Sequence, residues 1–91
     1  MVRVPLTPAE QQRGRRLGEM LRTARGPMSM VRVAHEAGIS VETLRKIEGG
    51  QVPTPTFFTI GAICDVLDIS LDTVISDLRT RETAGETAAT N

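Results

Sequence analysis

Residues 29–48, SMVRVAHEAGISVETLRKIE, decide the fold. Ser29 opens this stretch as a helix cap, and Val33, Ala34 and Ala37 follow at helical spacing. Gly38 supplies the left-handed residue that ends a helix of about two turns. Ile39 is the apolar residue of the turn, and Ser40 caps a second helix. There Leu44 and Ile47 point inward, which leaves Val41, Glu42, Arg45 and Lys46 on the outer side. Ala34 is small where the two helices cross. The result is a brace over 30–37, a turn at 38–40 and an outward-facing helix over 41–48. Reading the edges of bases in a major groove requires this arrangement, with one helix bracing the helix that reads.

Upstream, Thr7-Pro8-Ala9-Glu10 reads as a helix start. Thr7 caps, Pro8 suits the first helical position and Glu10 completes a capping box. Leu17, Met20, Leu21 and Ala24 form an amphipathic stripe, and Gly26-Pro27 stops the helix. Gly14 and Gly18 each cost about 1 kcal/mol relative to alanine, so they either fray its first half or permit close packing. Downstream, residues 51–55 read as a loop. Thr56 or Thr54 caps a fourth helix with Phe57, Ile60, Ile63, Cys64 and Leu67 at helical spacing. Ser70 caps a fifth, carrying Leu71, Val74, Ile75 and Leu78. The expected organisation is a flexible arm over 1–7, one all-α domain over 8–79 and a disordered tail over 80–91. No strand pattern, repeat or second domain is visible.

Bulk properties narrow the function classes. A chain of 91 residues has room for one modest core and hardly for an enzyme with a deep cleft. No nucleophile motif, carboxylate dyad or phosphate loop stands out, so the expectation is no enzyme, no cofactor and no metal. Cys64, the single cysteine, reads as a small core residue. The start of the chain carries no apolar run of a signal peptide, and no stretch is long enough for a membrane span, which fits the cytoplasm. Net charge is zero, but it is divided. Residues 1–50 carry nine Arg and Lys against five acids, while residues 51–91 carry two against six. One end can therefore attract phosphate.

The run from Ala34 to Gly50 resembles the helix-turn-helix of Cro-like, phage-repressor (Xre-type) regulators. The resemblance continues through Pro55, Thr59-Ile60, Leu67, Ile69-Ser70-Leu71-Asp72 and Val74. Upstream it takes in Leu21 to Gly26, with one extra residue in the following loop, and in all it covers about residues 17–78. It implies a five-helix lambda-repressor-like fold and a transcriptional regulator, a repressor, on double-stranded operator DNA. By the same resemblance Ser40, Val41, Glu42 and Thr43 open the recognition helix, where family members contact phosphate and bases. Arg45 and Lys46 match exposed positions that touch base edges or backbone. Ser29 and Met30 match the start of the brace, which grips phosphate. The loop with Gln51 and Thr54 matches a segment lying on the second phosphate strand. Arg22 and Glu48 match a structural pair tying the first helix to the third. Many members carry glutamine where this chain has Met30 and Val41, so the bases preferred will differ.

Each outward residue also has a plainer role. Lys46 reads guanine or forms an i, i+4 pair with Glu42. Glu42 accepts from a cytosine amine or only repels phosphate. Arg45 touches DNA or is solvated. Met30 is a contact or core, and Val41 can pack on a thymine methyl. Arg13, Arg15 and Arg16 grip phosphate or cover a solvated helix face. The resemblance further implies a homodimer, with Val74, Ile75 and Leu78 as its surface. Two other functions fit the same residues: an antitoxin that also binds a toxin, and a helix-turn-helix kept as a protein-interaction module.

Overall fold

The computed structural model describes residues 7–52 and 54–90, with side chains up to Thr80. Five helices follow one another: α1 (Pro8–Arg25), α2 (Met30–Ala37), α3 (Val41–Glu48), α4 (Phe57–Leu67) and α5 (Leu71–Thr90). No strand occurs among the described residues. The arm expected over 1–7 lies, apart from Thr7, outside them.

Each helix starts where a short hydroxyl side chain can take an orphan backbone N–H. The hydroxyls of Thr7, Ser29, Ser40, Thr56 and Ser70 accept from the amides of Glu10, Arg32, Thr43, Thr59 and Thr73 at 3.0–3.2 Å. Glu10 returns a carboxylate to the Thr7 amide at 3.4 Å, closing the capping box. Of the two candidate caps for α4, Thr56 is the one used. Gly38 ends α2 at φ 74°, the left-handed conformation that the turn needs.

α1 packs on α3 and α5, and α2 packs on α3 and α4. The core these helices enclose is Leu17, Leu21, Val33, Ala34, Leu44, Ile47, Ile60, Ile63, Cys64, Val74 and Leu78. Ile39 of the turn packs against it. Burial pushes the Cys64 thiol pKa up, as for a core residue.

α1 is unbroken across Gly14 and Gly18, and both glycines are buried. A Cβ on Gly18 would stand 2.5 Å from the Glu48 carbonyl oxygen and 2.6 Å from that of Ile47. Of the two readings of these glycines, close packing therefore holds at Gly18.

Three expectations need revision. α5 continues to Thr90, through the stretch read as a disordered tail from residue 80. That stretch has no proline, and its three alanines and two glutamates are good helix formers set among four threonines and Gly85, so the helix started at Leu71 meets no absolute break in it. Phe57, on the apolar spacing of α4, is 67% exposed: it falls in the first turn, on the open wall of a groove between α1 and α5. Val74 and Leu78, expected on a dimer surface, are 2% and 6% exposed and belong to the core, which leaves Ile75 as the exposed apolar residue of that set.

Candidate nucleic-acid interface

The exposed side of α3 carries Glu42, Arg45 and Lys46. Glu42 and Arg45 are joined, Nη1 to Oε2 at 2.8 Å, with both side chains 60% exposed. Glu42 thus pairs with Arg45 at i, i+3. Lys46 forms no ion pair among the described residues and stands next to them as an unengaged cation.

The N-terminus of α3 is shaped by Ser40 and Thr43. Their hydroxyls lie 2.8 Å apart, and the Ser40 oxygen also takes the Thr43 amide at 3.0 Å. Val41 is half-buried against the core, so only part of it remains available to a ligand. The first amides of α2 and α3 have no partner within their helices, and with the helix dipoles they suit an anion. Ser29 is exposed at the start of α2. Met30 is half-buried, packs against the core and also lines a cleft of about 360 Å³ with Arg22, Arg25, Arg45, Glu48 and Gly49. Its packing role is thus met, and its free edge borders the cleft beside Arg45.

The tie between α1 and α3 runs through Arg25, where Arg22 was expected. Arg25 Nε lies 2.8 Å from Glu48 Oε2, and its Nη2 donates to Oε1 at 3.1 Å. Its Nη1 donates to the Met28 carbonyl at 2.6 Å. The reason lies in where α1 ends: Arg25 is its last residue, one turn beyond Arg22, and so hangs over the end of α3. Arg22 is left exposed on the wall of the cleft that Arg45 also lines. Sequence reasoning assigned it a structural role and so missed it as a candidate contact; the extra residue in the loop after α1 was the signal.

Gln51 is exposed just past α3, its amide bonded to the Lys46 carbonyl at 2.9 Å. Arg15 lies against Gly50: a Cβ there would stand 2.8 Å from Arg15 Cγ, so the N-terminal arginines reach this loop through Arg15. Arg13 and Thr54 stand elsewhere, on an apolar groove shared with α4 and α5. The structure thus brings Ser40, Glu42, Arg45, Lys46 and Gln51 onto or beside α3, and sets Thr54 apart from them.

Two short capped helices at a glycine turn, with charged groups on the outer side of the second, define a helix-turn-helix. Residues 16–78 match the family model of the Cro/C1-type HTH DNA-binding domain. The chain belongs to this family and is a DNA-binding regulator. No curated protein matches it. No helix among the described residues is long and apolar enough to cross a membrane.

Proposed function

We propose that the chain is a cytoplasmic, sequence-specific transcriptional repressor that lays α3 in the major groove as a homodimer on a two-fold operator. Base edges fall to Glu42, Arg45 and Lys46, with Val41 against a thymine methyl. Phosphates fall to the helix starts at Ser29, Met30, Ser40 and Thr43, to Arg22, and to the loop at Gln51; Thr54, on the groove with α4 and α5, is left out of the contact set. Repression needs nothing beyond occupancy of promoter DNA.

The observation that carries this reading is the unengaged ammonium of Lys46 beside the 2.8 Å Glu42–Arg45 pair on the exposed face of α3. A carboxylate facing a phosphate-lined groove is costly without a neighbouring cation and a base amine to meet it. Arg45 supplies the first, and a cytosine N4 supplies the second. Cytosine suits a carboxylate better than adenine, whose amine sits beside the N7 acceptor.

A selection of bound fragments from genomic DNA tests the proposal, followed by titration of Lys46→Ala and Arg45→Ala on the recovered duplex. The expected result is one enriched palindrome and weaker binding by both variants. If no sequence is enriched and both variants bind like the parent chain at low salt, the proposal fails.

A further inference from the structure

We propose that the base met by the start of α3 is 5-methylcytosine in duplex DNA, so that cytosine methylation tunes binding. This deepens the base-reading role given to α3 above and rests on it. Val41 and Glu42 are the first two residues of α3. Val41 packs against the core and is half-buried, so its open side is an apolar surface held in place. A β-branched side chain in a helix keeps nearly one rotamer, which fixes that surface further. Glu42 is held by a different contact: Arg45 Nη1 donates to its Oε2 at 2.8 Å. Its Oε1 accepts from no group among the described residues. The start of α3 therefore sets a fixed apolar surface beside a carboxylate oxygen with open lone pairs.

Each of these features asks for one group on the edge of a base. The apolar surface asks for a methyl, and the carboxylate oxygen asks for an N–H. Thymine offers the methyl but sets O4, an acceptor, against Glu42. Unmodified cytosine offers the N4 amine and no methyl. Adenine offers its amine beside N7, an acceptor that repels the carboxylate. 5-Methylcytosine carries the methyl and the amine on neighbouring ring atoms, and so meets both side chains at once. The match extends to the other strand. Arg45 keeps Nε and Nη2 for the O6 and N7 of the guanine paired with that cytosine. Two charged heads in contact at 2.8 Å are close enough to serve the two bases of one pair.

Two selections with the full chain test the inference, one from a random duplex library built with cytosine and one from a library built with 5-methylcytosine. The recovered site is then synthesised with cytosine, 5-methylcytosine or N4-methylcytosine at each cytosine in turn, and titrated by fluorescence anisotropy at one salt concentration. At one cytosine of each half-site the 5-methyl should tighten binding about fourfold, the worth of one buried methylene. N4-methylation adds the same atoms but covers the groove-facing N–H, and should weaken binding there at least about tenfold. Val41→Ala should bind the unmodified duplex close to the parent chain, which shows that it is folded, and should lose the preference for the 5-methyl. A 5-methyl that leaves affinity unchanged or lowers it at every cytosine overturns the inference, and so does a preference that Val41→Ala keeps. If neither library yields a motif, α3 does not read bases and both readings fall. If both yield one motif whose cytosines are indifferent to methylation, α3 reads DNA and only this inference falls.

Discussion

The Arg25 guanidinium meets the Glu48 carboxylate twice, at 2.8 Å through Nε and at 3.1 Å through Nη2, and so ties the end of α1 to the end of α3. Glu48 is the one charged residue buried among those described, and its partner is only 16% exposed at the side chain. Removing one member leaves the other short of water and of a counter-charge. Glu48→Ala should therefore cost about 2–4 kcal/mol, less than the loss for a fully buried pair because Arg25 keeps some solvent. Arg22→Ala should change stability by less than about 0.5 kcal/mol, as a surface substitution. Urea unfolding of both variants checks the contrast. Equal losses would return the tie to Arg22.

Glycine-to-alanine substitutions should act in opposite directions at two helical sites. At Gly18 a Cβ would strike the carbonyls of Ile47 and Glu48, which belong to backbone and cannot swing aside. Gly18→Ala should cost about 2 kcal/mol or more through overpacking, despite the better helix propensity of alanine. At Gly61, inside α4, an added Cβ meets nothing within 4 Å. Gly61→Ala should stabilise by about 0.5–1 kcal/mol. Thermal denaturation of the pair gives the signs directly.

On the reading helix, Lys46→Ala should weaken binding to the selected duplex by about 1–3 kcal/mol if the ammonium reads guanine. A contact to phosphate alone should instead weaken all sequences alike and flatten the slope of log affinity against log salt by about 0.9. Fluorescence anisotropy at several salt concentrations distinguishes the two outcomes.

Glu42→Gln tests the cytosine assignment. It removes a negative charge facing phosphate and provides an amide suited to adenine N6 and N7. A repeated selection should move one position of each half-site from cytosine to adenine while the rest of the motif stays. Binding to random DNA at low salt should tighten. An unchanged motif would limit Glu42 to holding Arg45.

The helix-turn-helix was readable because local chemistry fixes it. Ser29, Gly38 and Ser40 act within four residues of themselves, and Leu44 and Ile47 lie on one helical stripe. What the sequence hid depends on where helices cross. The Arg25–Glu48 pair follows from where α1 ends on α3, since Arg22 and Arg25 lie one turn apart and only the packing decides which of them reaches Glu48. The clearance at Gly18 is a property of two backbones. Phe57 shares the apolar spacing of α4, yet it stands on the wall of an open groove and stays 67% exposed. Glu42 had two cations within reach, at i+3 and i+4, and spacing alone could not choose Arg45 over Lys46.

The most direct test of the account compares the affinity of the full chain for its selected palindrome with that for a scrambled duplex of equal length, titrated across salt. Specific binding should exceed non-specific binding by at least about 10³-fold near physiological salt, and both affinities should fall steeply as salt rises. Equal affinity for the two duplexes, with no salt dependence, would contradict the claim that α3 reads DNA.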